Sequence, residues 1–232
     1  MEGLSGVTVR ERAIVLDNVL VVADLHVGRG SASNVELPVG DGSDMIQRLS
    51  ELCQEFNPGT VIVAGDLLHS FNTIPRQVER TVDGLQSVVS DLGAELVVTP
   101  GNHDTMLDTV WSGPTTQEYK ISGTGTVVCH GHVEPEMDAQ RYIIGHDHPT
   151  ISIEGQRLPC HLASQEAYQG AALLMLPSFN RLVRGVEVND MSSSDFMSPL
   201  VCDAGSLAPA LRDTDARETL TFPTLEEFRH RL

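Results

Sequence analysis

Residues 60–69, TVIVAGDLLH, and residues 95–104, ELVVTPGNHD, share one plan: a short apolar run gives way to a glycine and then to carboxylate, amide and imidazole side chains. Runs this short, rich in β-branched residues and bounded by glycine or proline, predict strands over Thr60–Ala64 and Glu95–Thr99. Between them Pro75–Leu92 has helical spacing, with proline at its first turn and Gly93 just past its end. Strand–helix–strand alternation implies a partly parallel sheet, an α/β arrangement. In such a sheet, polar groups at the carboxyl ends of the strands line a common crevice. Upstream, Val7–Leu16 and Val19–Ala23 flank an Asp17-Asn18 turn and predict a hairpin. Gly40–Phe56 follows as a helix, with Asp41 or Ser43 as its cap and Met45, Leu49, Leu52 and Phe56 at helical spacing, and it stops at Asn57-Pro58-Gly59.

Beyond Gly101 the pattern changes to short strands at Glu118–Ile121, Thr126–His130, Arg141–Gly145, Thr150–Ile153 and Ala171–Leu176. Asp190–Arg217 is rich in Ser, Asp and Pro with weak periodicity, and its position suits a cap over the crevice. Glu218–Phe222 and Leu225–Leu232 read as a closing strand and helix. With no internal repeat and no low-complexity linker, 1–232 is expected to be one domain. Its motif core spans 19–150, and 171–232 supplies the rest of a second sheet and the closing helix.

The chain has 232 residues, 41% hydrophobic and 20% charged, a balance that excludes a disordered or collagen-like polymer. No apolar run approaches the ~18 residues of a membrane span, and the first residues lack the basic start and apolar stretch of a secretory signal. Cys53, Cys129, Cys160 and Cys202 are scattered, with no CxxC pair, so neither a zinc knuckle nor a disulfide framework is expected. All four read as small packed hydrophobes, Cys129 on the strand face opposite His130. A cytoplasmic chain with no membrane contact is the expectation. The net charge is −17, and Arg supplies all the basic residues except Lys120. An acidic, lysine-poor composition suits a salt-rich cytoplasm, where screening removes self-repulsion; it resembles haloarchaeal proteins, and a high-GC genome, which also replaces Lys with Arg, is the alternative. At molar salt counterion release adds little to nucleic-acid binding, so acidity does not exclude a nucleic-acid substrate.

Seven of the nine histidines fall in five clusters that each follow a predicted strand: Asp24-Leu25-His26, Gly65-Asp66-Leu67-Leu68-His69, Gly101-Asn102-His103-Asp104, His130-Gly131-His132 and Gly145-His146-Asp147-His148. In an extended segment residues i and i+2 point the same way, so Asp24 with His26, and His146 with His148, are each expected to face one site. Mixed imidazole, carboxylate and amide donors suit Zn, Mn or Fe and argue against iron–sulfur chemistry. Competing schemes are missing from the sequence: there is no GxSxG elbow, no Gly-Lys-[Ser/Thr] phosphate loop and no GxGxxG fingerprint.

The five clusters, in this order, resemble the calcineurin-like metallophosphoesterases, whose pattern runs DxH, GDxxD, GNH[DE], H and GHxH. The resemblance implies a four-layer α/β/β/α sandwich with two mixed β-sheets and two divalent metal ions, with Mn²⁺ the preferred choice and Zn²⁺ or Fe the alternatives. Carried over by position, Asp24, His26, Asp66 and His148 would bind one ion and Asp66, Asn102, His130 and His146 the other, with Asp66 bridging. Hydroxide formed between the ions would attack phosphorus in line. His103 would protonate the leaving oxygen, with Asp104 orienting its ring. The implied activity is hydrolysis of phosphate esters, above all phosphodiesters of nucleotides or nucleic acid. Phosphomonoester hydrolysis at the same site, or a metal-binding scaffold, are the alternatives.

His69 departs from the family pattern, which has Asp there. His69, His132 and Pro177-Ser178-Phe179-Asn180 resemble a narrower branch, the archaeal ICC-like and bacterial ligase-associated metallophosphoesterases, which implies a DNA-processing protein partner. His69 reads equally as support for the site or as a packing residue. His132 reads as facing the site. Arg29 reads first as a solvated loop residue and second as a phosphate contact. Asp147 is expected to point away from the metals and tether its loop. His161 and His230 read as ordinary surface or half-buried residues.

Overall fold

The computed structural model of the chain describes residues 2–32, 41–69, 73–213 and 216–229. Its first sheet has five strands in chain order: β1 (Val7–Arg10), β2 (Ala13–Leu16), β3 (Val19–Ala23), β4 (Thr60–Ala64) and β5 (Glu95–Thr99). β1–β2 and β2–β3 pair antiparallel, and β3–β4 and β4–β5 pair parallel. The single hairpin expected before Ala23 is therefore a three-stranded meander. The charged Arg10-Glu11-Arg12 run breaks the apolar stretch, and Glu11 takes φ 45 to turn the chain.

Between β3 and β4 the chain forms α1 (Arg29–Ala32) and α2 (Asp41–Phe56); between β4 and β5 it forms α3 (Arg76–Ser90), entered from an extended Pro75. Gly40, expected at the start of the second helix, lies outside the described residues. α3 buries Val78, Val82, Leu85 and Val89, and α2 buries Met45, Leu49, Leu52 and Cys53, each an i, i+3/i+4 stripe against the first sheet. β3 is buried along its whole length. That is the signature of a parallel strand covered on both faces.

After the four-residue α4 (Leu107–Val110), the chain forms β6 (Glu118–Ile121), β7 (Thr126–Cys129), β8 (Arg141–Ile144), β9 (Pro149–Ile153), β10 (Gln156–Pro159), β11 (His161–Tyr168), β12 (Ala171–Met175), β13 (Val186–Glu187), β14 (Ala208–Asp213), β15 (Glu218–Thr221) and α5 (Leu225–Arg229). Seven of these strands build a second mixed sheet, ordered β15-β14-β11-β12-β8-β7-β6, and a small third sheet is ordered β10-β9-β13. β11 escaped the sequence reading because its HLASQEAY composition favours helix as much as strand, a preference that tertiary pairing overrides. β14 lies inside the weakly periodic Asp190–Arg217 stretch, so that stretch builds part of the second sheet.

The two large sheets pack face to face through Val9, Ile14, Val21, Ile62, Val128, Ile143 and Leu174. The helices cover the outer face of the first sheet. The outer face of the second is covered by the small sheet, two 3-10 turns (Ser193–Asp195 and Ala204–Ser206) and α5, with Val188, Phe196, Leu200, Leu207 and Leu225 buried there. The molecule is thus an α/β/β/α sandwich whose fourth layer is mostly irregular chain. Among the described residues no helix is long and apolar enough to cross a membrane.

Two readings of lone side chains need correction. Cys202 is exposed, whereas Cys53, Cys129 and Cys160 are buried as expected. His161 is 1% exposed within β11, not a surface residue; His230 lies outside the described residues. Burial pushes His161 down to about 4, against an opposing hydrogen bond with the backbone of Ala210. Its folded-state pKa lies below its unfolded one, so the unfolded chain binds the extra proton between pH 6.5 and 4. Stability contributed by the neutral ring is therefore present above pH 6.5 and lost as pH falls towards 4, by up to about 3 kcal/mol. Urea unfolding of metal-stripped protein at pH 7 and pH 4.5 should show this slope, and His161→Gln should flatten it.

Candidate metal centre

Every cluster sits where its strand ends. Asp24 follows β3, Asp66 follows β4, Asn102 and His103 follow β5, His130 follows β7, and His146 to His148 follow β8. The carboxyl ends of parallel strands from both sheets open at one seam. Gly145 shows how tightly the seam closes: a Cβ there would lie 2.4 Å from Asp24 Oδ2.

The backbone at the seam is curled. Asp24 (φ 53), His26 (φ 43), Asp66 (φ 42), His146 (φ 74) and His148 (φ 47) all occupy the left-handed region. Side chains enter that region at a cost on the order of 1 kcal/mol or more each, and they stay only where surrounding bonds over-determine them. The expectation that Asp24/His26 and His146/His148 converge through extended geometry is therefore corrected. β3 ends at Ala23 and β8 at Ile144, and it is the curl after each that turns the side chains to one point. Reciprocal bonds hold two of the curls together. The amides of Asp24, His26 and Val27 donate to the carbonyls of Gly65, Asp66 and Leu67 at 3.1, 2.8 and 2.9 Å, and His69 N–H donates to Val27 at 3.1 Å.

One donor atom each from Asp24, His26, Asp66 and His148 lie within 4.8 Å of one another, the one such group found among the described residues. His26 Nε2 and His148 Nε2 are 3.1 Å apart. Two nitrogens bound to one ion at about 2.1 Å, at near-octahedral to tetrahedral angles, would be about 3.0–3.4 Å apart. His130 Nε2 stands 3.3 Å from Asp24 Oδ1 and 3.5 Å from Asp66 Oδ2, and the His146 ring is 4.7 Å from that of His130. Asp24 Oδ1 and His130 Nε2 are buried without a hydrogen bond. Buried polar atoms of this kind are rare and call for an explanation; a divalent cation supplies one.

The electrostatics agree. Burial pushes His26 down to about 3 and His146 down to about 4, leaving neutral rings with free lone pairs. Burial also raises the Asp66 carboxyl, to about 6. Asp24 goes the other way: burial opposes ionisation, but His148 and His130 outweigh it and hold the carboxyl well below the usual range. The same pairing raises His130 and His148 against burial. Two carboxylates and several imidazoles so disposed fit a divalent ion with mixed N/O donors.

The remaining expected residues are placed unequally. Asn102 is exposed, in the turn whose next residue donates His103 N–H to Asp66 Oδ1 at 2.9 Å. His103 is half-buried; its ring meets that of His26 edge-on at 5.3 Å and stacks on that of His69 at 6.2 Å. His69 is thus part of the site wall. His132 lies beside His130, with their Nδ1 atoms 3.0 Å apart. Arg29 opens α1, half-exposed, near enough for its charge to join burial in lowering His69. Asp147 turns outward and accepts from the amides of Met197 and Ser198 at 2.7 and 3.1 Å, the tether foreseen for it.

Asp104 is a correction. Its carboxylate accepts from the backbone amides of Leu67, Leu68 and Gly101 at 3.2, 2.8 and 3.0 Å. It clamps the β5 loop to the β4 loop instead of orienting the His103 ring. Sequence reasoning gave no role to Arg48 and Arg12, and used Ser178 and Asn180 only as marks of a branch resemblance; all four surround the Asp24 loop from behind. One signal was available: Arg48 falls on the apolar stripe of α2 between Met45 and Leu52, where a charge has to be buried and paired.

A family model described as calcineurin-like phosphoesterase matches residues 18–153. The crystal structure of Pseudomonas putida nuclease MPE superposes with a TM-score of 0.63 at 20% sequence identity, covering 91% of each chain. The structure of Yfce, a phosphoesterase from E. coli, gives a TM-score of 0.48 at 13% identity, over 89% of this chain and 98% of that one. No curated protein gives a significant match.

Proposed function

The chain belongs to the calcineurin-like phosphoesterase family, a hydrolase family acting on phosphate esters with divalent metals, and from that premise we propose a binuclear phosphodiesterase acting on nucleotide or nucleic-acid esters. The observation that carries the reading is the buried group of donors from Asp24, His26, Asp66 and His148, all within 4.8 Å. These four would hold one ion, and Asp66, Asn102, His130 and His146 would hold a second. Bound ions of this kind neutralise phosphate charge and lower the pKa of a water for in-line attack, which is why Mn²⁺, Zn²⁺ or Fe²⁺ suits the site.

The chain's own residues do the rest. Asp66 accepts His103 N–H, which fixes the β5 loop over the site. The His103 ring, at the half-buried rim and stacked on His69, delivers a proton to the departing ester oxygen. Arg29, at the head of α1 and close enough for its charge to lower His69, would meet a non-bridging phosphate oxygen. The diester reading draws its support from a nuclease that stands among the structural neighbours. The acidic, lysine-poor composition supports work in molar salt; the branch resemblance of His69, His132 and residues 177–180 supports a DNA-processing partner, and the chain is read as a cytoplasmic protein with 1–232 acting as one domain.

The test is hydrolysis of bis(p-nitrophenyl) phosphate and p-nitrophenyl phosphate by metal-stripped protein in molar KCl, with and without Mn²⁺. Diester turnover that appears with Mn²⁺ and disappears with chelator is the expected result. Turnover of the monoester alone would replace the diester reading with a phosphatase. Silence on both, with Mn²⁺ bound, would remove the general diesterase assignment.

A further inference from the structure

The curled Asp24-Leu25-His26 loop has its amides tied to the Asp66 loop; its carbonyls face the other way and meet a segment far along the chain. Phe179 N–H donates to Ala23 O at 2.7 Å. Ser178 Oγ donates to Asp24 O at 2.6 Å. Asn180 Nδ2 donates to Leu25 O at 2.9 Å and reaches His26 O at 3.4 Å. Four consecutive carbonyls, Ala23 to His26, are thus taken by three consecutive residues, and Ser178 and Asn180 are 3% and 0% exposed. This segment arrives at the seam because β12 runs parallel to β8 and ends on the same side.

Arginines hold the segment in turn. Arg12 donates to Ser178 O and Asn180 O at 2.9 and 3.0 Å. Arg48, 4% exposed on α2, donates to Phe179 O, and its guanidinium lies 4.1 Å from the Phe179 ring centre. Arg48 and Arg181 each pair with both Glu11 and Asp44, closing a four-membered ion network around the segment. A buried arginine kept by two carboxylates, a carbonyl and an aromatic face is geometrically fixed.

We propose that Ser178 and Asn180, fixed by Arg12 and Arg48, are positioning residues that hold the Asp24–His26 backbone in its left-handed curl and so set these two side chains for the metal. The inference rests on the metal-centre reading above. A loop held at φ 53 and 43 relaxes unless its carbonyls are occupied, and relaxation swings both donors away. Partners that orient metal-binding side chains typically change metal affinity about 10–100-fold when removed.

The experiment measures Mn²⁺ dissociation constants by calorimetry, kcat at saturating Mn²⁺, and the melting temperature of metal-stripped protein. Asn180→Asp keeps the shape and the oxygen that accepts Leu182 N–H but loses the donor to Leu25 and His26. It should weaken Mn²⁺ binding about 10–100-fold, with kcat partly restored by excess Mn²⁺. Leu207→Ala, in the outer core of the second sheet, is the comparison: it should lower the melting temperature and leave Mn²⁺ affinity within twofold. Equal, small affinity changes in the two variants would reduce Asn180 to ordinary packing and overturn the proposal. Should Asn180→Asp fail to fold, Ser178→Ala is judged by the same criterion. Wild-type protein that binds no Mn²⁺ would overturn the metal-centre reading and this inference together, an outcome distinct from normal wild-type binding with unaffected variants.

Discussion

Asp66→Asn is expected to lower phosphodiester turnover by about a thousandfold or more while making the metal-free protein more stable above pH 6. The two effects come from one cause. Asp66 is 1% exposed, and burial raises its carboxyl to about 6. Its folded-state pKa lies above its unfolded one, so any stability it contributes is fully present below pH 3.8 and lost as pH rises through 6. Above pH 6 the metal-free protein holds a buried anion at a cost of about 3 kcal/mol, and a neutral amide of the same shape removes that cost. The amide oxygen still accepts His103 N–H, so the β5 loop stays in place. What is lost is the negative charge shared by both proposed ions, which no neighbour replaces: the nearest ring nitrogens, on His130 and His26, are 3.5 and 3.8 Å from Oδ2. Urea unfolding at pH 8 with chelator and turnover with Mn²⁺ are the paired measurements. A fall in both would mean that Asp66 is a structural residue first; unchanged turnover would remove it from the metal centre.

Much of this site was legible in one dimension because its parts are local. The apolar runs ending at Ala64 and Thr99 give β4 and β5 their exact ends, and a glycine with polar residues after each run marks the crevice side. Asp147 was legible for the same reason: set between two inward histidines, it had to face out. What escaped reading depends on contacts between distant segments. The curl at Asp24 and His26 leaves no periodicity, since it is imposed by bonds to Gly65–Leu67 on one side and Ser178–Asn180 on the other. Ser178 and Asp24 are 154 residues apart, a separation no spacing rule spans. Asp104 was assigned to the His103 ring by the family resemblance, yet its oxygens find the amides of Leu67 and Leu68, which only the β4–β5 pairing brings near. His161 lacked a cluster and looked peripheral, although β11 threads it through the middle of the second sheet.

Gly65→Ala should be the most destabilising single methyl that the seam can receive, by about 3–5 kcal/mol, from a strained backbone and overpacking together. Gly65 sits at φ 82, where an L side chain is already strained, and its added Cβ would lie 2.0 Å from His130 Cδ2 and 2.3 Å from Cγ. The ring has nowhere cheap to go. His130 is 1% exposed, its Nδ1 is 3.0 Å from that of His132, and its Nε2 faces both Asp24 and Asp66. Backbone movement is equally restricted, because Gly65 donates to Val63 O and accepts Asp24 N–H, so shifting it pulls on the Asp24 loop. Denaturant unfolding reads the stability loss, and Mn²⁺ calorimetry on the folded fraction reads the second consequence, a weakened site where His130 has been displaced. Gly93→Ala is the matching comparison. Gly93 has a similar φ of 71 with nothing within 4 Å of the added Cβ, so it carries the backbone strain alone, about 1–2 kcal/mol, and should leave Mn²⁺ binding unchanged. Equal losses at the two positions would mean that backbone conformation, and not the packing of the β4 loop against His130, dominates at Gly65.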